Sequence, residues 1–382
     1  MIKEENRTAK SSEQELFMDK ELELGVEKIS GNKRILKAFS DALGILPKTV
    51  NIASNRYVFF LSILFAVALS ACTAKKTDDN IVFKNIEHLH ADTIQLQNIF
   101  DPIFVTLTNG VLTFTSYQSS PMLHFYETPS LKYLYSTGIK GKGPSDIQIF
   151  PMICRNTSSD TLYIWGYTPV TIKSFSVYKD SLSLVKTYNL NNYETFNNPH
   201  IIRDSIFLYS NSEDMSIKKC DLETNLSTGK LSFKTDSHGQ SAFSENYGLF
   251  AANDSLIIYA YQYKKQIDIY DIASLQLKTR IIDKYEYEPP TFNYTENVLY
   301  YISIVAENKY FYVMYRGRNS ENVPLNNDII EVFDYDGNPV VKYIFEDIAP
   351  QIFTVDEINH YIYGYSYNNQ DYLLRYAISS CP

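Results

Sequence analysis

The chain is poor in cysteine, with four in 382 residues and no Cys-x-x-Cys pair. A zinc ribbon or a dithiol redox centre needs that spacing, so neither reading has a carrier. Histidine is scarce at six, and neither His-Glu-x-x-His nor Gly-x-Ser-x-Gly occurs. Zinc-protease and nucleophile-elbow chemistry are excluded on the same ground. Tryptophan occurs once, at Trp165. Basic charge is in deficit, with 35 Lys and Arg against 44 Asp and Glu, a net of −9. That disfavours nucleic acid, whose binding is driven by neutralising phosphates. It also disfavours adhesion of a folded body to an anionic membrane face. Glycine and proline, at 14 each, are too few for a low-complexity chain. No stretch of helical period and useful length interrupts residues 80–378.

What is present begins with one apolar run, Tyr57 to Ala71, preceded by Arg56 and ending on Leu69-Ser70-Ala71-Cys72. It is shorter than the roughly 20 residues that span a bilayer. It matches a secretory apolar region followed by a small-residue cleavage site. The closing tetrad resembles the lipobox of bacterial lipoproteins. That implies cleavage between Ala71 and Cys72, lipid attachment at Cys72, and anchoring to a membrane outside the cytoplasm, with the outer membrane as the expected address. Dual acylation suffices for stable anchoring, since each buried methylene contributes about 0.8 kcal/mol. Residues 72–80 are polar and read as a tether. Residues 1–55 read as an irregular or partly helical extension, either a start-site artefact or a leader removed with the signal peptide 56–71. The part from Cys72 onward holds 25 basic and 35 acidic side chains.

Aromatic content is high, at 32 Tyr and 22 Phe. Tyrosine suits half-buried strand surfaces, with an apolar ring and a wet hydroxyl. A unit of about fifty residues recurs. It opens at Asn109-Gly110-Val111, Asp160-Thr161-Leu162, Asp204-Ser205-Ile206, Asp254-Ser255-Leu256, Asn308-Lys309-Tyr310 and Asn359-His360-Tyr361. Each opening leads into a strand, a polar gap, a second strand, a tight turn and a third strand. Asp336-Gly337 supplies the positive φ such a turn requires. Units of this size predict an all-β chain, a six-bladed β-propeller with four-stranded blades over residues 81–382. The shorter WD40 repeat and its Gly-His and Trp-Asp signatures are absent. Closure is expected from Ile81–Phe83 and Thr93–Leu96 pairing with Tyr372–Ile378, which removes exposed edges.

Between the first two units lies Gly141-Lys142-Gly143-Pro144-Ser145-Asp146. Together with the lipobox and the Tyr-rich units, it resembles the Gly-x-Gly-Pro loop of the TolB-like six-bladed propeller lipoproteins of Bacteroidota. Asp146 stands where glutamate is commoner. The resemblance implies a fold and a location but no reaction. As chemistry, Gly141, Lys142, Gly143, Pro144 and Asp146 read either as a tight crossover between blades or as a ligand contact at the ring mouth. They do not form a P-loop, because Pro144 lacks an amide donor.

Other candidates each carry two readings. His88 and His90 share a strand face and can hold a metal, or lie on a solvated strand. Arg316-Gly317-Arg318 and Asn198-Pro199-His200 can face a binding mouth or sit in solvated turns. Tyr259, Tyr261, Tyr263, Tyr361, Tyr363, Tyr365 and Tyr367 can stack on sugars or pack the blades. Cys154, Cys220 and Cys381 can give one disulfide or three buried thiols. The sequence favours a binding or interaction module of the cell envelope without catalytic residues, cofactor or metal. Its expected partners are a membrane, through the lipid, and an envelope protein, peptide or glycan. A propeller enzyme, lyase or hydrolase, acting in the central channel is the alternative, and a structural subunit of an envelope complex a third.

Overall fold

The computed structural model describes residues 75–77 and 81–379. Stretches at 97–98, 100, 144–145, 158–159, 167–169, 191–195, 234–244, 285–289, 292–294 and 320–327 are excepted. The extension, the signal sequence, Ala71, Cys72, Pro144 and Cys381 lie outside the described residues. Contacts divide the chain at Cys72, and all described residues belong to the second unit, Thr73–Pro382.

Three short strands lead in: β1 (Lys75–Thr77), β2 (Asn85–Leu89) and β3 (Asp92–Gln95). Blade 1 is β4 (Phe104–Thr108), β5 (Val111–Thr115), β6 (Leu123–Glu127) and β7 (Lys132–Thr137). Blade 2 is β8 (Met152–Asn156), β9 (Thr161–Trp165), β10 (Thr171–Val177) and β11 (Leu182–Asn189). Blade 3 is β12 (Phe196–Ile202), β13 (Ile206–Asn211), β14 (Ile217–Asp221) and β15 (Ser227–Leu231). Blade 4 is β16 (Gly248–Ala252), β17 (Leu256–Tyr261), β18 (Gln266–Asp271) and β19 (Leu277–Ile282). Blade 5 is β20 (Leu299–Ala306), β21 (Tyr310–Arg318), β22 (Ile329–Asp334) and β23 (Pro339–Phe345). Blade 6 is β24 (Ile352–Asp356), β25 (Tyr361–Tyr365) and β26 (Tyr372–Ala377), completed by β3.

Each blade is an antiparallel meander. Its first strand is innermost, and the six first strands neighbour one another around a closed ring. In blades 2 and 3 these inner strands pair directly and in parallel, His200 opposite Arg155 and Ile201 opposite Asn156. The repeat read from sequence is therefore the second, third and fourth strands of each blade. The turn at Asp336-Gly337 forms as expected: Gly337 has φ +88°, and its amide donates to the Asp334 carbonyl at 3.0 Å.

Six apolar clusters, one between each pair of successive blades, hold the ring. The cluster between blades 6 and 1 contains Tyr363, Tyr365 and Leu373 from one side and Leu112, Phe114 and Tyr126 from the other. Full burial of one such side chain is worth about 1.5–3 kcal/mol, so each interface is a substantial apolar contact. This is where the tyrosines go. Tyr259, Tyr261, Tyr263, Tyr363 and Tyr365 are all buried, while Tyr367 at the tip of its hairpin stays exposed. Packing, not sugar stacking, accounts for the buried ones.

The closing strand matches the expectation in part. β3 pairs antiparallel with β26, Ile94 opposite Leu373 and Thr93 opposite Leu374. Ile81–Phe83 forms no strand and does not reach the last blade. Phe83 is instead buried against Phe333, ring centroids 5.3 Å apart, between blades 4 and 5. The polar residues after it form β2, which runs parallel to β23 as a fifth strand of blade 5. Within the stretch read as a tether, Lys75–Thr77 pairs with β19 of blade 4. The lead-in thus follows the outer rim of three consecutive blades.

Cys154 and Cys220 are buried thiols between blades 2 and 3 and form no disulfide. Burial pushes the Cys154 thiol well above its ordinary value, so it stays protonated and inert.

Candidate functional site

At one end of the channel the inner strands stop and turn into the second strands. A cavity of about 610 Å³ opens there, lined by Thr106, Arg155, His200, Ala252, Glu307 and Asp356, one from each blade in order. The size is that of a small-molecule pocket. Small residues make the room: Ala251, Ala252 and Ala306 line it where larger side chains would fill it.

Two of the acids at this rim are already used. The Asp356 carboxylate accepts from the Ile358 and Asn359 amides at 3.1 and 2.9 Å, and from the Asn359 side chain. Glu357 accepts from the Lys309 and Tyr310 amides, both at 3.2 Å, and from the Tyr312 hydroxyl at 3.1 Å. It ties blade 6 to the first turn of blade 5.

Glu307, Arg155 and His200 differ. The Glu307 carboxyl and the Arg155 guanidinium make no hydrogen bond and no ion pair among the described residues. They feel each other only through their field. Burial, with the nearby Glu357 and Asp356 charges, pushes Glu307 up to about 8, and Arg155 only partly offsets this. Burial likewise lowers Arg155 from its ordinary value. His200 is 2% exposed. Its Nδ1 lies 3.0 Å from the Asn198 carbonyl, which can only accept, so the proton sits there. Nε2 is then a lone-pair acceptor, buried and without a partner. Desolvation, reinforced by Arg155, brings His200 down to about 3, so the ring is neutral. It lies against Phe250 with centroids 4.6 Å apart. Of the two readings of Asn198-Pro199-His200, the solvated turn fails: His200 is in the channel wall.

The linkage at Glu307 has a definite sign. In the folded chain it holds its proton up to about pH 8, whereas unfolded it releases the proton near 4.5. Stability therefore falls as pH rises from about 4.5 to about 8, then levels off. Glu307→Gln removes that fall. The variant should melt close to the wild type at pH 5 and clearly higher at pH 9. Identical melting differences at both pH values would contradict the buried, protonated acid.

The family-type loop lies away from this cavity, between β7 and β8. Gly143 donates its amide to the Asp146 carboxylate at 2.8 Å, and Gly141 donates to the Ile147 carbonyl at 3.2 Å. Gly143 has no positive φ; its need is space. A Cβ there would sit 2.8 Å from an Asp146 carboxylate oxygen, and one at Gly141 only 2.2 Å away. The loop is wound tightly around Asp146, while Lys142 is exposed. Gly143→Val should lower the melting temperature by several degrees, consistent with about 1–3 kcal/mol for an overpacked, hydrogen-bonded turn. Lys142→Ala should leave it within a degree. A differential scanning calorimetry trace of each variant decides this.

The remaining candidates are structural in geometry. Arg316 and Arg318 are not in a solvated turn: both reach buried Asp328, at 2.8 Å each. His88 contacts Glu346, and His90 lies 3.7 Å from Asp347. Sequence reasoning identified no carboxylate partner for either, because both acids come from the far end of blade 5. Among the described residues no three His, Cys, Asp or Glu side chains group as a metal site. Arg155 and Glu307 were missed altogether. Their only sequence signal is a charged residue at or just past the end of an inner strand.

Comparison with known proteins agrees with this architecture. A crystal structure from Bacteroides vulgatus ATCC 8482, described as a member of the duf4221 family, superposes with a TM-score of 0.50 at 11% identity. That match covers 75% of this chain and 97% of the other. A structure of a protein from Bacteroides fragilis NCTC 9343 described as exported gives a TM-score of 0.49 at 10% identity. It covers 80% of this chain and 99% of the other. No curated protein matches the sequence. The family model described as TolB-like 6-blade propeller-like matches residues 82–358, from the lead-in to the sixth blade, and the chain belongs to that family.

Proposed function

We propose that this chain is a lipid-anchored, extracytoplasmic propeller that works as a binding module of the cell envelope, with its small-ligand site at the end of the channel. The observation that carries the reading is a cavity lined from all six blades in which Arg155, Glu307 and His200 Nε2 have no side-chain partner among the described residues. A packed channel would satisfy such groups internally, because burying them unpaired costs about 1–3 kcal/mol each. The anchor rests on Leu69-Ser70-Ala71-Cys72, with Cys72 as the acylated residue and Ala71 the last residue removed. An outer-membrane address and an envelope protein, peptide or glycan as partner follow from the same reading.

The anchor is tested by metabolic labelling with an alkyne fatty acid. Wild type should be labelled and shifted to its processed size; Cys72→Ala should be neither. Equal labelling of the two would end the lipoprotein reading. A catalytic reading has one observation in its favour, since a carboxyl raised to about 8 suits a general acid. Turnover of an activated glycoside that is lost in Glu307→Gln would establish it.

A further inference from the structure

The binding module proposed above has a cavity whose donors and acceptors are specific enough to name a ligand class. We infer that the channel end takes a small carboxylate, such as a sugar acid, whose two oxygens are held by the Arg155 guanidinium and met by the Glu307 carboxyl. This rests on the channel-end site being a ligand site.

Three facts converge. Among the described residues, Arg155 is the one cation lining the cavity, and no carboxylate pairs with it. A partly buried guanidinium presents a planar fork of donors, and a planar two-oxygen anion fits it best. The acids lining the cavity are occupied or neutral, Asp254 lying 3.8 Å from Arg203. Asp356 and Glu357 are spent on backbone amides, as described. Glu307 keeps its proton through neutral pH, so it offers an O–H as well as an acceptor. Two donor groups therefore face a cavity whose own carboxylates, Asp254, Asp356 and Glu357, are engaged with other partners. Asp356 and Glu357 still contribute negative field from blade 6. That field favours a singly charged ligand over a phosphate dianion. The 610 Å³ available fits a ring-sized ligand. The unpartnered His200 Nε2 at the wall accepts from a hydroxyl of such a ligand.

The sign of the pH dependence separates this ligand from a cationic one. Glu307 is faced by Arg155 from blade 2, by Glu357 and Asp356 from blade 6, and by the Tyr335 phenol of its own blade, which donates to the Glu307 carbonyl and stays protonated. A carboxylate ligand binds while Glu307 is protonated and is repelled once it ionises. Affinity should fall as pH rises through about 8. An ammonium ligand would show the opposite trend.

The test uses the chain from Thr73 to Pro382 and three matched probes, sodium glucuronate, glucose and glucose 6-phosphate, followed by ligand-observed NMR. Glucuronate should bind at least tenfold tighter than glucose at pH 6.5 and lose at least fivefold by pH 9. Glu307→Gln should keep binding and lose the pH trend. Arg155→Met should abolish glucuronate binding while its ligand-free melting temperature stays equal or rises, since an unpaired, partly buried charge is removed. Arg155→Lys guards against a folding artefact and should weaken binding at least tenfold with the fold intact. Glucose or glucose 6-phosphate binding better than glucuronate would overturn the carboxylate assignment and leave the channel end standing as a site. Absence of binding by all three would overturn both. Undiminished glucuronate binding in Arg155→Met would remove Arg155 from the site.

Discussion

A chain beginning after Gln95 should fail to form a closed ring. It would lack β3, whose four residues pair with Tyr372–Arg375, and the Arg375–Asp92 ion pair at 2.9 Å. It would lack β2 as well, so β23 would become an unprotected edge. Leu89, which lies in the apolar cluster between blades 5 and 6, goes with it. The third strand of blade 6, with Leu373 and Leu374 at 0% exposure, would then be a bare apolar edge of the kind that pairs with other chains. The combined loss is on the order of several kcal/mol, comparable to the whole stability of a domain. Size-exclusion chromatography should show aggregates or a near absence of soluble protein. A control chain beginning at Ile81 keeps β2 and β3 and should be a folded monomer-sized species with intact near-ultraviolet circular dichroism. A stable, native-like shorter chain would mean that the ring closes by packing alone.

Asp268→Ala should be the most damaging single substitution within a blade. Asp268 is at 0% exposure on β18. Its two oxygens receive Arg280 Nε and Nη2, both at 2.7 Å, from the neighbouring strand. The hydroxyls of Tyr261 and Tyr270 donate to it at 3.0 Å each, and Gln266 donates from the same strand. Removing the carboxylate takes away the acceptor that the guanidinium and the two phenols share. The expected cost is about 1–3 kcal/mol, the range for depriving buried polar groups of a partner, since Arg280 is 37% exposed and stays partly solvated. Asp268→Asn keeps the shape and the phenol contacts and should cost clearly less. Urea denaturation of both variants measures the difference. A midpoint for Asp268→Ala within experimental error of wild type would show that the network contributes shape but no net stability.

The outer three strands of every blade were legible because their physics repeats. An Asn or Asp turn, an alternating aromatic strand and an Asp-centred hairpin recur because each packs between the same two neighbours. The inner strands were not. β12 carries a bulge between Asn197 and His200, with Asn198 at φ +50° and Pro199 inside it, which breaks a period of two. β16 reads Gly-Leu-Phe-Ala-Ala, and a Cβ at Gly248 would sit 2.5 Å from the Ala260 carbonyl of the next strand. These strands face a channel instead of a layer, so no common pattern is imposed on them. The candidate site residues sit there for the same reason: only positions released from the packing pattern can carry Arg155, His200 and Glu307. The loop at Gly141–Asp146 was legible as a feature but not in its cause, since nothing in the sequence says that Asp146 folds back onto the glycines.

The lead-in along the rim has a consequence for the order of events during synthesis. β1, β2 and β3 are made before any other strand of the fold, yet their partners lie in blades 4, 5 and 6. Asp92 is separated from Arg375 by 283 residues, and His88 from Glu346 by 258. β1 must wait for β19, β2 for β23 and β3 for β26, near the end of the chain. Such distant pairing is entropically slow. The waiting segments are suited to the delay. Lys75-Lys76-Thr77, Asn85-Ile86-Glu87-His88-Leu89 and Asp92-Thr93-Ile94-Gln95 are short, mostly polar and carry charges. A nascent chain with that composition stays solvated and does not pair with its neighbours. The last-made residues therefore decide when the first-made ones become structure, and an interrupted chain is marked by an unoccupied N-terminal arm.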